Sequence, residues 1–425
     1  MKEDFLHYLW RFQKLGNLPL VTTDGVAVRV IHPGTPNAGS GPDFCQAKLW
    51  IGDTLWAGDV ELHLKASSWF HHRHHMDAQY DAVVLHVVWK YDTEVCYPSG
   101  RLMPCLELSR CIPSDQLKRY DAMFQKIPQW IPCENSFSRF PHFKWELWKE
   151  RLYFERLEEK TQLIHRLLKA NKNDWECTLF QMLAKNFGLN RNGNSFLRWA
   201  QHLPFSVLRK NFSDPEALEA LFFGISGLLE GDLEVPYKQK MRARYDYLKH
   251  KFGFRELSGM CVQFSRLRPA NFPTIRLSQL AQLYFRQPRP FDALVNSATT
   301  ANLNWIRQVG VSPFWQTHYS FEKESSKRSK LLSRSFFELL LINTLIPIRF
   351  AYTQLQPHSK NDWVISWISK LSAERNSVSE GFAKLGVKLH SALDSQALLQ
   401  LKNHYCDKKR CLRCATGFYL FDFSS

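Results

Sequence analysis

The sequence predicts an α+β protein: a mixed β-sheet domain at the N-terminal end, followed by a larger, mostly α-helical region. Three observations carry this. Between residues 27 and 108 apolar residues alternate with polar ones or run continuously over short stretches, the two signatures of strands. Beyond residue 141 they recur at three- and four-residue spacing, the signature of amphipathic helices. The charge divides near the same place: residues 1–115 carry 10 Lys/Arg against 13 Asp/Glu, a net −3, and the other 310 residues hold +19.

Each element follows from its local pattern. Phe5, Leu9 and Phe12 lie at helical spacing within residues 3–15. AVRVIH (27–32) reads as a strand, and HPGTPNAGSGPD (32–43) as a loop of Pro, Gly and Asn. AKLWI (47–51), the turn Gly52-Asp53 and TLWAGDVELHLK (54–65) make a hairpin. DAVVLHVVWKY (81–91) is apolar almost throughout, as a strand buried on both faces would be, and LMPCLEL (102–108) reads as one more strand. Prolines 128, 132 and 141 mark a linker. Helices follow, with Asn173 and Glu176 spaced as a capping box, Gly188 at a helix end, and Asp214-Pro215 opening a helix that turns Leu218, Leu221, Phe222, Ile225 and Leu229 inward. The expected division is 1–120 sheet domain, 121–140 linker, 141–402 helical region and 403–425 a terminal cysteine knuckle.

Composition narrows the class. With 44% apolar and 23% charged residues the chain is neither disordered nor membrane-spanning in character. MKEDFLHYLW lacks the apolar core of a signal peptide, and Phe336–Ile348 is interrupted by Glu338 and Asn343, so a cytoplasmic protein without a membrane partner is expected. Ten cysteines without an export signal read as reduced thiols or metal ligands rather than disulfides. A basic body around an acidic, His-rich segment suits a polyanion partner, and nucleic acid is the one expected. Oligomeric state is left open.

Three clusters can carry chemistry. In GDVELHLK, Asp59, Glu61, His63 and Lys65 share one face of a strand, with Asp43 in the preceding loop. Asp43 and Glu61 can hold Mg²⁺ or Mn²⁺, Lys65 can neutralise charge on a phosphate, and His63 can act as base or ligand. The plain alternative is a solvated polar strand face. In WFHHRHHMDAQYD (69–81), His72, His74 and Asp77 are candidate zinc ligands, against a solvated His-rich loop; His86 lies in the apolar strand beyond. In HYCDKKRCLRCATG (404–417), Cys406, Cys411 and Cys414 with His404 suggest a zinc knuckle, or less readily an iron–sulfur centre. Lys408, Lys409 and Arg410 beside it, and Arg266, Arg268 and Arg276 in FSRLRPANFPTIR, are candidate phosphate contacts. For the latter three an Arg-buttressed turn is the structural alternative.

The order helix, Pro42-Asp43, then Glu61 to Lys65 one strand later resembles the PD-(D/E)XK nuclease superfamily, with Glu3 or Asp4 as the additional acid. That resemblance implies a nuclease-like sheet and metal-dependent phosphodiester hydrolysis. The chain departs from it at His63, where an acid would precede Lys65. Glu61 and Lys65, four residues apart, lie ~13 Å from one another along a strand. A non-catalytic nucleic-acid-binding scaffold, or a zinc hydrolase built on His72, His74 and Asp77, are the competing readings. From EDFLHYLW through GPDF, GDVELHLKASSW, YDAVVLHVV, LAKNFGLN, EALFFGISGLL and RPANFPTIR to CLRCATG, the chain resembles a bacterial family known as domain of unknown function 2851. That resemblance implies a shared fold and no activity.

Overall fold

A computed structural model describes residues 1–16, 18–37, 39–97, 99–123, 129–231, 234–255, 257, 262–357 and 361–423. Its secondary structure bears out the α+β class: the strands lie before residue 108, and helices dominate beyond residue 141. The chain divides into two compact units, one formed by residues 1–148, 380–387 and 399–425, the other by 149–379 and 388–398.

The first unit is built on a seven-stranded sheet. Strands β1 (Leu20–Val21), β2 (Ala27–His32), β3 (Thr35–Pro36), β4 (Phe44–Ile51), β5 (Thr54–Lys65), β6 (Val83–Lys90) and β7 (Cys105–Glu107) run in the order β1-β2-β4-β5-β6-β7, with β3 against β4. The expected hairpin is β4–β5, closed where Ile51 faces Thr54 across the Gly52-Asp53 turn. β6 is the doubly buried strand, parallel to both β5 and β7.

A parallel pair needs a crossover, and here it is short and irregular. Helix α2 (Ser68–His71) and two single 3-10 turns, His74–Met76 and Ala78–Tyr80, carry the chain from β5 back to the start of β6. The His-rich run is this crossover, so the topology returns it to the sheet. Gly58 lets β6 approach: a Cβ there would stand 2.3 Å from Val84 Cγ1 and 2.6 Å from the Ala82 carbonyl oxygen.

Helix α1 (Glu3–Arg11) packs on β5 and is buried almost all round, at Phe5, Leu6, Tyr8, Leu9 and Trp10. Only part of that burial comes from the sheet. The helix Ala415–Phe423 covers the other side, with Phe421 set edge-on against Phe5 and Tyr8, and Phe418 against Tyr8 and Phe12. The terminal cysteine segment therefore belongs to the same compact unit as the sheet.

The second unit is helical around an aromatic core in which Phe180, Trp199, Phe222 and Tyr284 meet. Helix Pro215–Ile225 begins as expected, its N-cap Asp214 accepting from the Ala217 N–H, and Leu218, Leu221, Phe222, Ile225 and Leu229 are buried. The capping box at Asn173 and Glu176 is not formed. Asn173 takes a left-handed conformation and closes the preceding helix, donating to the Leu168 carbonyl; Asp174, in extended conformation, caps Trp175–Phe187 instead. Glu176 is then free to accept from the Phe291 N–H. The stretch Arg334–Gln354 is long and apolar enough to cross a membrane, but 67% of its most apolar window is buried within the protein.

Candidate metal centre

Alternation along β5 sends Glu61 and His63 to the face that the crossover covers, which removes both from water: they are 5% and 1% exposed. The alternative of a solvated polar strand face does not hold at these two positions. Parallel pairing sets Glu61 opposite His86, so a third polar side chain enters the same layer. The crossover supplies His72 and His74.

The result is a close cluster. His63, His72 and His74 each offer a ring nitrogen within 4.8 Å of the others. His63 Nε2 lies 3.1 Å from His72 Nδ1 and 3.5 Å from Glu61 Oε1. Glu61 Oε1 is also 3.4 Å from His74 Nε2. Ligands bonded at 2.0–2.1 Å to a tetrahedral ion stand ~3.3 Å apart, and these three separations match three of the six edges of such a site. His74 Nε2 is buried without a hydrogen-bond partner. On its other ring nitrogen, Nδ1, His63 meets His86 Nε2 at 2.9 Å, the kind of second contact that fixes the tautomer and orientation of a ligating imidazole.

The electrostatics point the same way. Burial, with the Asp43 carboxylate beside it, raises the Glu61 pKa from 4.5 to about 9. Burial, with His86 next, lowers His63 to about 2, and burial with His74 lowers His86 to about 3. His74 is lowered too, by burial and then His72. His63, His74 and His86 are thus neutral with lone pairs available, while Glu61 is buried beside a second carboxylate. Tyr80 stacks on His74 at 3.8 Å, and Trp69 stands edge-on to His74 and Tyr80.

Asp43 is tied to β5 by two hydrogen bonds. Its backbone N–H donates to Glu61 Oε2 at 3.0 Å, and its Oδ2 accepts from the Leu62 N–H at 3.0 Å. The same Oδ2 is 3.4 Å from Nε2 of His7, on α1. His7 and Asp43 are about a quarter exposed, so this pair forms an accessible rim. Of the two acids considered on α1, Glu3 acts on Glu61 electrostatically, whereas Asp4 pairs with Arg413 at 2.9 Å.

Other expected site residues fall elsewhere. Lys65 is at the exposed end of β5, where its charge acts on Asp92. Asp77 caps the turn Ala78–Tyr80 by accepting from the Gln79 N–H, and adds charge near His74 from there. Arg276 is the buttress rather than a phosphate contact: it is 5% exposed, bonded to Asn271 and Gln279, and lies 3.6 Å above the Phe336 ring. Arg268 is exposed, and Arg266 lines a cavity of about 740 Å³ with Lys185, Arg191 and Asn343. Lys408, Lys409 and Arg410 are exposed beside the terminal cysteines, and Cys406, Cys411 and Cys414 are buried and outside any disulfide. His404 is half-buried.

The fold and cluster define an α+β protein with three histidines that could hold a metal ion, and a buried carboxylate beside them, between a mixed sheet and its crossover. The family model described as Protein of unknown function (DUF2851) matches residues 3–377, and the chain belongs to that family. No curated protein and no solved structure matches it, and the likeness to the nuclease superfamily gains no support from these comparisons.

Proposed function

We propose that the protein is a metal-dependent hydrolase acting on phosphodiesters of nucleic acid, with His63, His72, His74 and Glu61 as the ligands. The observation that carries this reading is the His63, His72 and His74 cluster, with Glu61 Oε1 3.5 Å from His63 Nε2 and 3.4 Å from His74 Nε2. Three imidazoles and one carboxylate favour Zn²⁺, Mn²⁺ or Fe²⁺ over Mg²⁺, which prefers an all-oxygen shell. The reading joins parts of two sequence expectations, Glu61 from the nuclease-like strand and His72 and His74 from the zinc hydrolase.

A divalent ion held there would acidify a water and offset charge on a phosphoryl oxygen. The chain's own residues do the rest. Glu61 would give up its proton on holding such a cation and serve as the charged ligand. Asp43 accepts from Leu62 N–H, holds Glu61 through its own N–H, and faces His7 Nε2, so it orients the His7 imidazole as general base at the rim. Tyr80 and Trp69 exclude water from the inner side of His74. Lys65, at the exposed strand end, contacts the substrate backbone away from the centre. Nucleic acid as substrate is supported by the +16 net charge.

The test is cleavage of single- and double-stranded DNA and RNA with Mn²⁺ or Zn²⁺. His74→Ala and Glu61→Gln should abolish activity and metal uptake at this cluster together. His7→Ala should lower kcat about 10²-fold or more with metal binding retained, the scale expected for a general base. Activity unchanged in Glu61→Gln would sink the assignment.

A further inference from the structure

A second group of metal-ligand side chains lies apart from the His/Glu cluster. Cys133, Cys406, Cys411 and Cys414 lie outside any disulfide, and the latter three are buried. Cys133 joins the three terminal cysteines. Every pair among the four is close enough for one thiolate's charge to act on the other: Cys133 feels Cys414 and Cys411, Cys406 feels Cys414, Cys133 and Cys411, and Cys411 feels Cys414.

The backbone explains how they meet. Cys133 opens the 3-10 turn Glu134–Arg139, which packs on the helix Ala415–Phe423. Cys406 ends the π-helical turn Leu401–Cys406, which packs on the turn Cys411–Arg413. The Cys414 N–H donates to the Cys411 carbonyl at 3.2 Å, closing the Cys-x-x-Cys turn. Gly417 allows this: a Cβ there would sit 2.2 Å from the Cys411 carbonyl oxygen.

We propose that Cys133, Cys406, Cys411 and Cys414 bind one structural zinc ion that clamps the C-terminal segment over α1. Four sulfur donors on three separate turns are the donor set of a closed, non-catalytic zinc site. Four thiolates around Zn²⁺ carry a net charge of −2, and the cations beside them offset it. Lys2 and Lys409 act on Cys411, Lys402 acts on Cys406, and Lys408 and Arg410 are exposed on the same loop. The clamp has a clear load. The segment it secures grips α1 through Arg413–Asp4 and Lys14–Asp422, both at 2.9 Å, and through Tyr8 Oη donating to Asp422 at 3.1 Å. α1 in turn carries His7.

The experiment uses full-length protein purified without chelator. An organomercurial that titrates thiols should release one zinc per chain, since it displaces thiolate-bound metal and leaves imidazole-bound metal in place. The zinc X-ray absorption edge of protein in which His74→Ala has removed the other cluster should show about four sulfur neighbours near 2.3 Å. Cys133→Ser should lose this zinc, and His404→Ala should keep it. If Cys133→Ser does not fold, the wild-type mercurial titration still decides. No zinc released by mercurial overturns the proposal. So do thiols found oxidised in pairs, an iron–sulfur chromophore in place of zinc, or a site lost in His404→Ala and retained in Cys133→Ser.

Discussion

Glu61 is the residue on which the candidate centre turns. Its carboxyl titrates at about 9 in the folded, metal-free protein and at 4.5 in an ordinary environment. Between those values the folded state holds a proton that the unfolded state has released, so the metal-free protein should lose stability as pH rises from about 4.5 towards 9. Glu61→Gln should remove that loss. By thermal melting, the variant should exceed wild type by several degrees at pH 8 and match it at pH 4; an equal gap at both values would refute the assignment. Saturating Zn²⁺ should reverse the order at pH 8, because only wild type gains the ligand's binding energy. Glu61 and His63 were legible in the sequence because period-two alternation places them together. His7 was not singled out, although it stands one helical turn from Glu3. Cys133 could not be joined to Cys406, because nothing local links residues at opposite ends of the chain.

The elements themselves were largely legible. AVRVIH is β2, TLWAGDVELHLK is β5, and the doubly buried character of β6 followed from its unbroken apolar run. The crossover was harder, since single 3-10 turns have no periodicity and their histidines read equally as a solvated loop. What fixes its position is the parallel β5–β6 register, a non-local property. Gly58 guards that register. Gly58→Ala forces a methyl against Val84 and the Ala82 carbonyl, and should destabilise the unit by about 1–3 kcal/mol. Because β5 carries Glu61 and His63, metal affinity should fall with it. Urea unfolding measures the first effect and metal titration the second; a variant as stable as wild type would show that the β5–β6 contact can yield.

For the whole molecule, the charge split frames the proposed substrate. Residues beyond 115 hold +19, while the sheet segment carrying the centre is at −3. Nucleic-acid affinity should therefore reside mainly beyond residue 115 and fall steeply between low and physiological salt, with a log–log slope that shrinks by about one for each phosphate-contacting cation removed. Arg266→Ala and Arg268→Ala are the substitutions to compare, with buried Arg276 expected to affect stability instead. Affinity indifferent to salt would remove nucleic acid as the substrate class. The claim beneath all of this is that the His/Glu cluster is a metal centre. Crystals of the full chain soaked in Zn²⁺ or Mn²⁺ address it through anomalous scattering. The account predicts a peak bounded by His63 Nε2, His72 Nδ1, His74 Nε2 and Glu61 Oε1, absent in His74→Ala. Maps with no peak among these four atoms in either metal would contradict it.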